Sequence, residues 1–159
     1  MFFKHERLKG GIKMRLWHSE LISSLPRQQL IAQWRECVAL AKDIYENCKV
    51  NHILVNKIND YPTINFNNYC NIVLKEMLKR SYNVSTESIN KLKNYINFNA
   101  DSSVTSNPYP EWHNKDYLFI CYYNLKEKFL CGGIDRKEWN KFQSAFIDIL
   151  IKYEDEFNV

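Results

Sequence analysis

Arg35 and Glu36 stand side by side within "RQQLIAQWRECVALAKDIYENC" (27–48). A carboxylate beside a guanidinium can move a proton, steady a developing cation or grip a phosphate. If this stretch is a helix, Glu36 lies two positions beyond Trp34, about 200° around the axis. It then points away from the apolar side that Trp34 marks. Its face neighbours are Gln29, Ala32, Ala39 and Asp43. The two alanines, one turn either side, leave room for a bulky group to reach the carboxylate. Arg35 is flanked by Gln28 and Lys42. The competing reading is a solvated helix face, and spacing alone favours it, because most surface charges have no specific task. For His18 and His52, a hydrogen-bonded structural role weighs about as much as a catalytic one. Lys75 and Lys79 are one turn apart on a polar face, where plain solvation is favoured.

The elements that must position these residues follow from apolar periodicity. Pro26 suits a helix start, since its missing N–H would be unpaired there anyway. Leu30, Ile31, Trp34, Val38, Ala41 and Tyr45 repeat at helical spacing after it. "NHILVNKINDYPT" (51–63) breaks the pattern and reads as a loop, with Thr63 as the next cap. "INFNNYCNIVLKEMLKRSYNV" (64–84) is a second helix. Phe66, Tyr69, Cys70, Val73 and Met77 form its inner stripe, and Asn68, Asn71, Lys75 and Lys79 its outer face. Ser85 or Thr86 opens a shorter helix through about Ile96. "NADSSVTSNPYPEW" (99–112) is a polar loop. "HNKDYLFICYYNLKEKFL" (113–130) is a further helix, stopped by Gly132 and Gly133. Asp135 with Glu138 resembles a capping box and opens the last helix, with Trp139, Phe142, Phe146, Ile149, Leu150 and Tyr153 as its apolar set. No convincing strand appears. The expectation is an all-α, compact single-domain fold of five or six helices, with 132–159 packed on the domain or appended to it.

Composition narrows the classes. The 159 residues suit one core, and 45% hydrophobic with 25% charged residues is a globular balance. The longest apolar run, "YLFICYY", is far short of the roughly 20 residues that span a bilayer, and the first residues have no signal-peptide h-region. A cytoplasmic protein is expected. Cys37, Cys48, Cys70, Cys121 and Cys131 are an odd set without CxxC spacing, which points to buried free thiols. Four scattered histidines add no ligand pair, so no metal and no cofactor is expected. The net charge of +4 falls to +1 when residues 1–13 are set aside. Bulk charge therefore makes no case for nucleic acid, and local basic faces would have to.

"LISSLPRQQLIAQWREC" (21–37) resembles, without gaps, the first catalytic helix of the pyrimidine-dimer DNA glycosylase family, of the phage endonuclease V type. Arg35–Glu36 fall on that family's Arg–Glu pair. "EMLKRSYNV" (76–84) is similar to a later helix and its exit turn. "MRLWH" (14–18), "RECVAL" (35–40), His52 and "YPEWHNKDYL…NLKEK" (109–128) look like bacterial members of the same superfamily. The resemblance covers most of 14–128, a helical domain expected to run over 14–131. It implies an all-α enzyme without a metal that acts on damaged double-stranded DNA as a monomer. A terminal amine attacks the sugar C1′, the base leaves, a protein–DNA imine forms, and β-elimination nicks the strand. An amine of pKa ~8 keeps a useful neutral fraction near pH 7.

On that resemblance Glu36 is the catalytic carboxylate, Met14 carries the amine, and Arg15 and Arg35 hold phosphates or orient Glu36. His18 and His52 are DNA contacts near the site, and Lys75 and Lys79 track backbone phosphates. The chain departs from the family at three places. Met14 precedes Arg15 where the phage enzyme exposes a threonine, Ala39 replaces a further arginine, and "YEDEFNV" replaces an aromatic, basic tail. The alternative is a non-catalytic helical module of the same fold that binds nucleic acid or a protein. Residues 1–13 read as a translated leader or disordered tail. Lys9–Gly10–Gly11 can be encoded as AAA GGA GGN, a purine-rich ribosome-binding sequence a short spacer ahead of the Met14 codon.

Overall fold

The structure is a computed structural model, and it describes residues 14–156. The leader assigned to residues 1–13 and the last three residues lie outside them. Five α-helices make up the fold: α1 (Arg27–Asn47), α2 (Thr63–Lys79), α3 (Thr86–Ile96), α4 (Lys115–Leu130) and α5 (Arg136–Glu156). Short 3₁₀ turns cover Ser19–Ser24 and Asn56–Asp60. No strand occurs among the described residues, and the chain is all-α as its periodicity indicates. Helix α1 packs on α2 and α3, and α5 packs on α4 and on the Ser19–Ser24 turn.

Leu30, Trp34, Phe66, Tyr69, Val73, Leu118, Trp139 and Phe142 are among the buried core residues. The apolar stripes therefore do face inward, with two corrections. Tyr45 is 62% exposed and tilts against Tyr95 at 5.4 Å between rings, because α1 outruns the core at its last turn. Asn71, placed on the outer face of α2, is buried. Its amide donates to the Asn67 and Asn99 carbonyls, and its oxygen accepts the Asp101 N–H at 2.7 Å. It ties the polar loop down instead of facing water.

Helix ends add detail. Thr63 is the first helical residue of α2 and makes no cap; Pro62 stands before it. Helix α2 stops at Lys79, earlier than its pattern, where Ser81 takes a left-handed conformation (φ 57°). Ser85 caps α3 by accepting the Ser88 N–H. Gly132 takes φ 82° and ends α4 as expected. Asp135 accepts the Glu138 N–H at 2.8 Å, one arm of the capping box. Glu138 does not close the other arm. It reaches across to accept the Arg27 N–H at 2.8 Å, capping α1 from α5. All five cysteines are free; Cys48 and Cys131 are exposed, contrary to the expectation of burial.

Residues 14–18 run into the interior without regular structure and with no strand beside them, and lead into the Ser19–Ser24 turn. Buried peptide groups need partners, and here side chains from the helices supply them. Gln33 of α1 binds both the Arg15 carbonyl and the Trp17 N–H at 2.8 Å. The Tyr69 hydroxyl of α2 donates to the Trp17 carbonyl at 2.7 Å, and the Tyr117 hydroxyl of α4 to the Leu16 carbonyl at 2.6 Å. Cys121 Sγ accepts the His18 N–H and His113 Nδ1 the Ser19 N–H. Arg80 closes the arrangement, donating to the Leu25 and Ser23 carbonyls while paired with Glu76. Tyr117→Phe leaves the buried Leu16 carbonyl without its donor. Urea unfolding should show a loss of about 1–3 kcal/mol with an unchanged m-value.

Candidate active site

Glu36 is half-buried at the wall of a cleft rather than fully exposed. The entering segment crosses its face, and the carboxylate Oε2 accepts the Arg15 N–H at 3.4 Å and the Gln33 Nε2–H at 3.2 Å. Burial lifts its carboxyl above the ordinary range. The Arg15 N–H and the charges of Arg15 and Arg35 offset part of that rise. Glu36 lines a cleft of about 640 Å³ with Arg15, Trp17, Gln28, Ala32, Arg35 and Asn124 among its walls. Arg15 sits over the Trp17 ring at 5.7 Å and donates to Asn124 at 3.3 Å. Arg35 is exposed at the rim. Met14 is half-buried against the core. Its nitrogen is three bonds from the Arg15 nitrogen, which places it within about 7 Å of Glu36 Oε2. One cleft thus holds a proton-competent carboxylate and two guanidiniums, with Met14 packed on the core beside it.

Gln33 is the residue that sequence reasoning missed. It is fully buried, and its amide binds Arg15, Trp17 and Glu36 at once, with the Tyr69 hydroxyl 3.0 Å from its oxygen. Its place was open to view, between Leu30 and Cys37 on the inward arc of α1, where a polar residue must satisfy something.

Four expected site residues stand elsewhere. His18 is fully buried, which corrects its placement as a DNA contact. It stacks on His113 at 5.4 Å and meets Tyr153 of α5. His18 Nδ1 accepts the Glu20 N–H, and Nε2 faces the Tyr153 hydroxyl at 3.1 Å, which itself donates to the His113 carbonyl. Both Nδ1 atoms of His18 and His113 therefore face N–H donors and have no room for a proton. Desolvation pushes His18 down to about 4, and His113 is lowered too, by burial and by His18. His52 pairs with Asp43 at 3.0 Å, two turns along α1 from Glu36, and does not line the cleft. Lys75 and Lys79 are exposed in a separate cleft of about 630 Å³ with Glu20, Ser106 and Lys152. No group of three or more His, Cys, Asp or Glu among the described residues is arranged to hold a metal ion. No helix there is long and apolar enough to cross a membrane.

A family model described as pyrimidine dimer DNA glycosylase matches residues 14–90. The match covers just under half of the chain and supports its assignment to that family. The match begins at Met14 and takes in the entering segment, Gln33, Arg35, Glu36 and all of α2. No curated protein and no solved structure gives a significant match. DNA repair and a DNA substrate are what that assignment implies.

Two pH effects follow. The raised Glu36 carboxyl means that its charge opposes folding once pH exceeds the unfolded value. The stability gained by Glu36→Gln over the wild type should therefore grow as pH rises from about 4 towards 7, in paired thermal melts. The histidines act with the opposite sign. Their folded values lie below 6.5, so the unfolded chain takes up protons first and stability falls as pH drops from about 6.5 towards 4. His18→Asn keeps the acceptor for Glu20 but cannot titrate. It should flatten that decline while lowering stability overall.

Proposed function

We propose that this chain is a DNA glycosylase with AP-lyase activity on damaged duplex DNA, pyrimidine dimers by family, and that its nucleophile is the α-amine of Met14. One observation carries the reading: Glu36 accepts the backbone N–H of Arg15, the residue next to Met14, inside a cleft walled by guanidiniums. The working chain in this proposal begins at Met14, with residues 1–13 a translated leader, and acts as a cytoplasmic monomer. The bulk of Arg15 blocks methionine removal, so the amine stays on Met14.

In the reaction the neutral amine attacks C1′ of the damaged nucleotide. The glycosidic bond breaks with its electron pair going to the base, which takes up a proton. Glu36 in its charged form steadies the cationic sugar. Opening of the C1′–O4′ bond gives an imine, with a proton passing to O4′. Loss of a C2′ proton then expels the 3′ phosphate. A carboxyl raised by burial suits this proton traffic near neutral pH. Arg15 and Arg35 take the flanking phosphates. Lys75 and Lys79 add backbone contacts outside the cleft, and His52 orients Asp43 on the same face.

The second reading, a non-catalytic module that binds nucleic acid or a protein, is favoured by Ala39, which leaves α1 without a further cation on this face. Borohydride trapping separates the two. A chain starting at Met14 should give a covalent adduct through its terminal amine with abasic and ultraviolet-irradiated duplex. A chain retaining residues 1–13 should not, because its Met14 nitrogen is an amide. Glu36→Gln should slow turnover by ~10²-fold or more. An adduct mapped to a lysine, or none at all, overturns the proposal.

A further inference from the structure

Ile53 is 83% exposed, and Leu54 beside it 39%. They are the two central residues of a tight turn closed by the Val55 N–H on the His52 carbonyl at 3.0 Å. Such positions favour Gly, Pro, Asn, Asp or Ser, and an isoleucine side chain in water contributes nothing to folding. The turn is nonetheless firmly held. Val50, Val55 and Ile58 are buried beneath it. Asn59 clamps Val50 through both its N–H and its carbonyl, at 2.8 Å each. His52 fastens the turn to Asp43. An apolar tip on so fixed a base is a presented surface.

Its position on α1 suggests what it meets. Asp43 is seven residues beyond Glu36, about 20° short of two full turns, so both project from one face about 10 Å apart along the axis. The turn fastened to Asp43 therefore flanks the Glu36 cleft. At 3.4 Å per base step, DNA seated with its reacting nucleotide at Glu36 passes the turn about three steps away. Lys49, Lys57, Asn51 and Asn56 are exposed around the tip and suit phosphate oxygens. Of the neighbouring acids, Asp43 is engaged with His52 and Glu46 with Lys42, while Asp60 stands exposed beside Lys57.

Resting on the glycosylase reading, we infer that Ile53 and Leu54 form a wedge that enters the base stack of the duplex beside the lesion. Apolar side chains inserted between base steps unstack them and bend the helix. Here the wedge opens the duplex around the damaged nucleotide so that its C1′ reaches the Glu36 cleft.

The test uses the full 159-residue chain and a duplex carrying a tetrahydrofuran abasic analogue, which cannot form the imine. A 2-aminopurine is placed at successive steps either side of it. Saturating protein should raise the fluorescence severalfold at one position near the third step. Ile53→Ser with Leu54→Ser should abolish the rise and weaken binding ~10-fold, with an unchanged melting temperature. No rise with the wild type, no binding to the duplex, or an equal rise with the double variant overturns the wedge. Loss of binding to anionic phospholipid vesicles in the double variant, with DNA unstacking intact, overturns it in favour of a membrane surface. The chemistry is judged separately. Failure of the borohydride trap in the chain that starts at Met14, with unstacking intact, sinks the lyase proposal alone, and trapping by that chain without unstacking sinks the wedge alone.

Discussion

A buried segment outside helix and strand has no ladder to satisfy its peptide groups, and residues 14–18, leading into the Ser19–Ser24 turn, are such a segment. Their partners come one by one from Gln33, Tyr69, Cys121, Tyr117 and His113, side chains of α1, α2, α4 and the loop before α4. Each of those residues must be placed to within hydrogen-bonding tolerance, and a missing partner leaves a buried polar group unpaired. The helices are thus held in register by the segment they enclose. The chain is fixed at the one place where a terminal amine would have to be fixed in order to react.

The same network sets the state of Glu36. Gln33 spends its amide on Arg15, Trp17 and Glu36, so the carboxylate is oriented by the group that anchors the segment. Burial raises its carboxyl while two guanidiniums stand nearby. The Arg15 N–H that helps to hold it opposes that rise. On the other side of the segment, His18 and His113 serve as acceptors for backbone N–H groups and are kept neutral by burial. Tyr153 links them to α5, and with Lys152–Glu20 it makes the last helix part of the domain.

Helices were legible because their signals are local. The inner stripes of α1, α2 and α5, the Ser85 cap and the Gly132 stop each depend on residues within a few positions of one another. The misses share a different character. Asn71 looked like surface because polarity and period say nothing of a loop that needs anchoring. Glu138 looked like half of a local box, yet it caps another helix. His18 and His52 were indistinguishable by type, and one is sealed in the core while the other fastens a turn.

For the candidate site, sequence by itself determined the all-α class, the helix that bears Arg35 and Glu36, and the family likeness of that helix. Helical period and an ungapped motif are one-dimensional properties. Only the tertiary structure decided that Glu36 is half-buried, that Gln33 is its organiser, and that Arg15 meets it across 21 positions of sequence. Those facts depend on where the entering segment threads between helices. That path is set by buried hydrogen bonds between residues up to 103 positions apart, which no local pattern records.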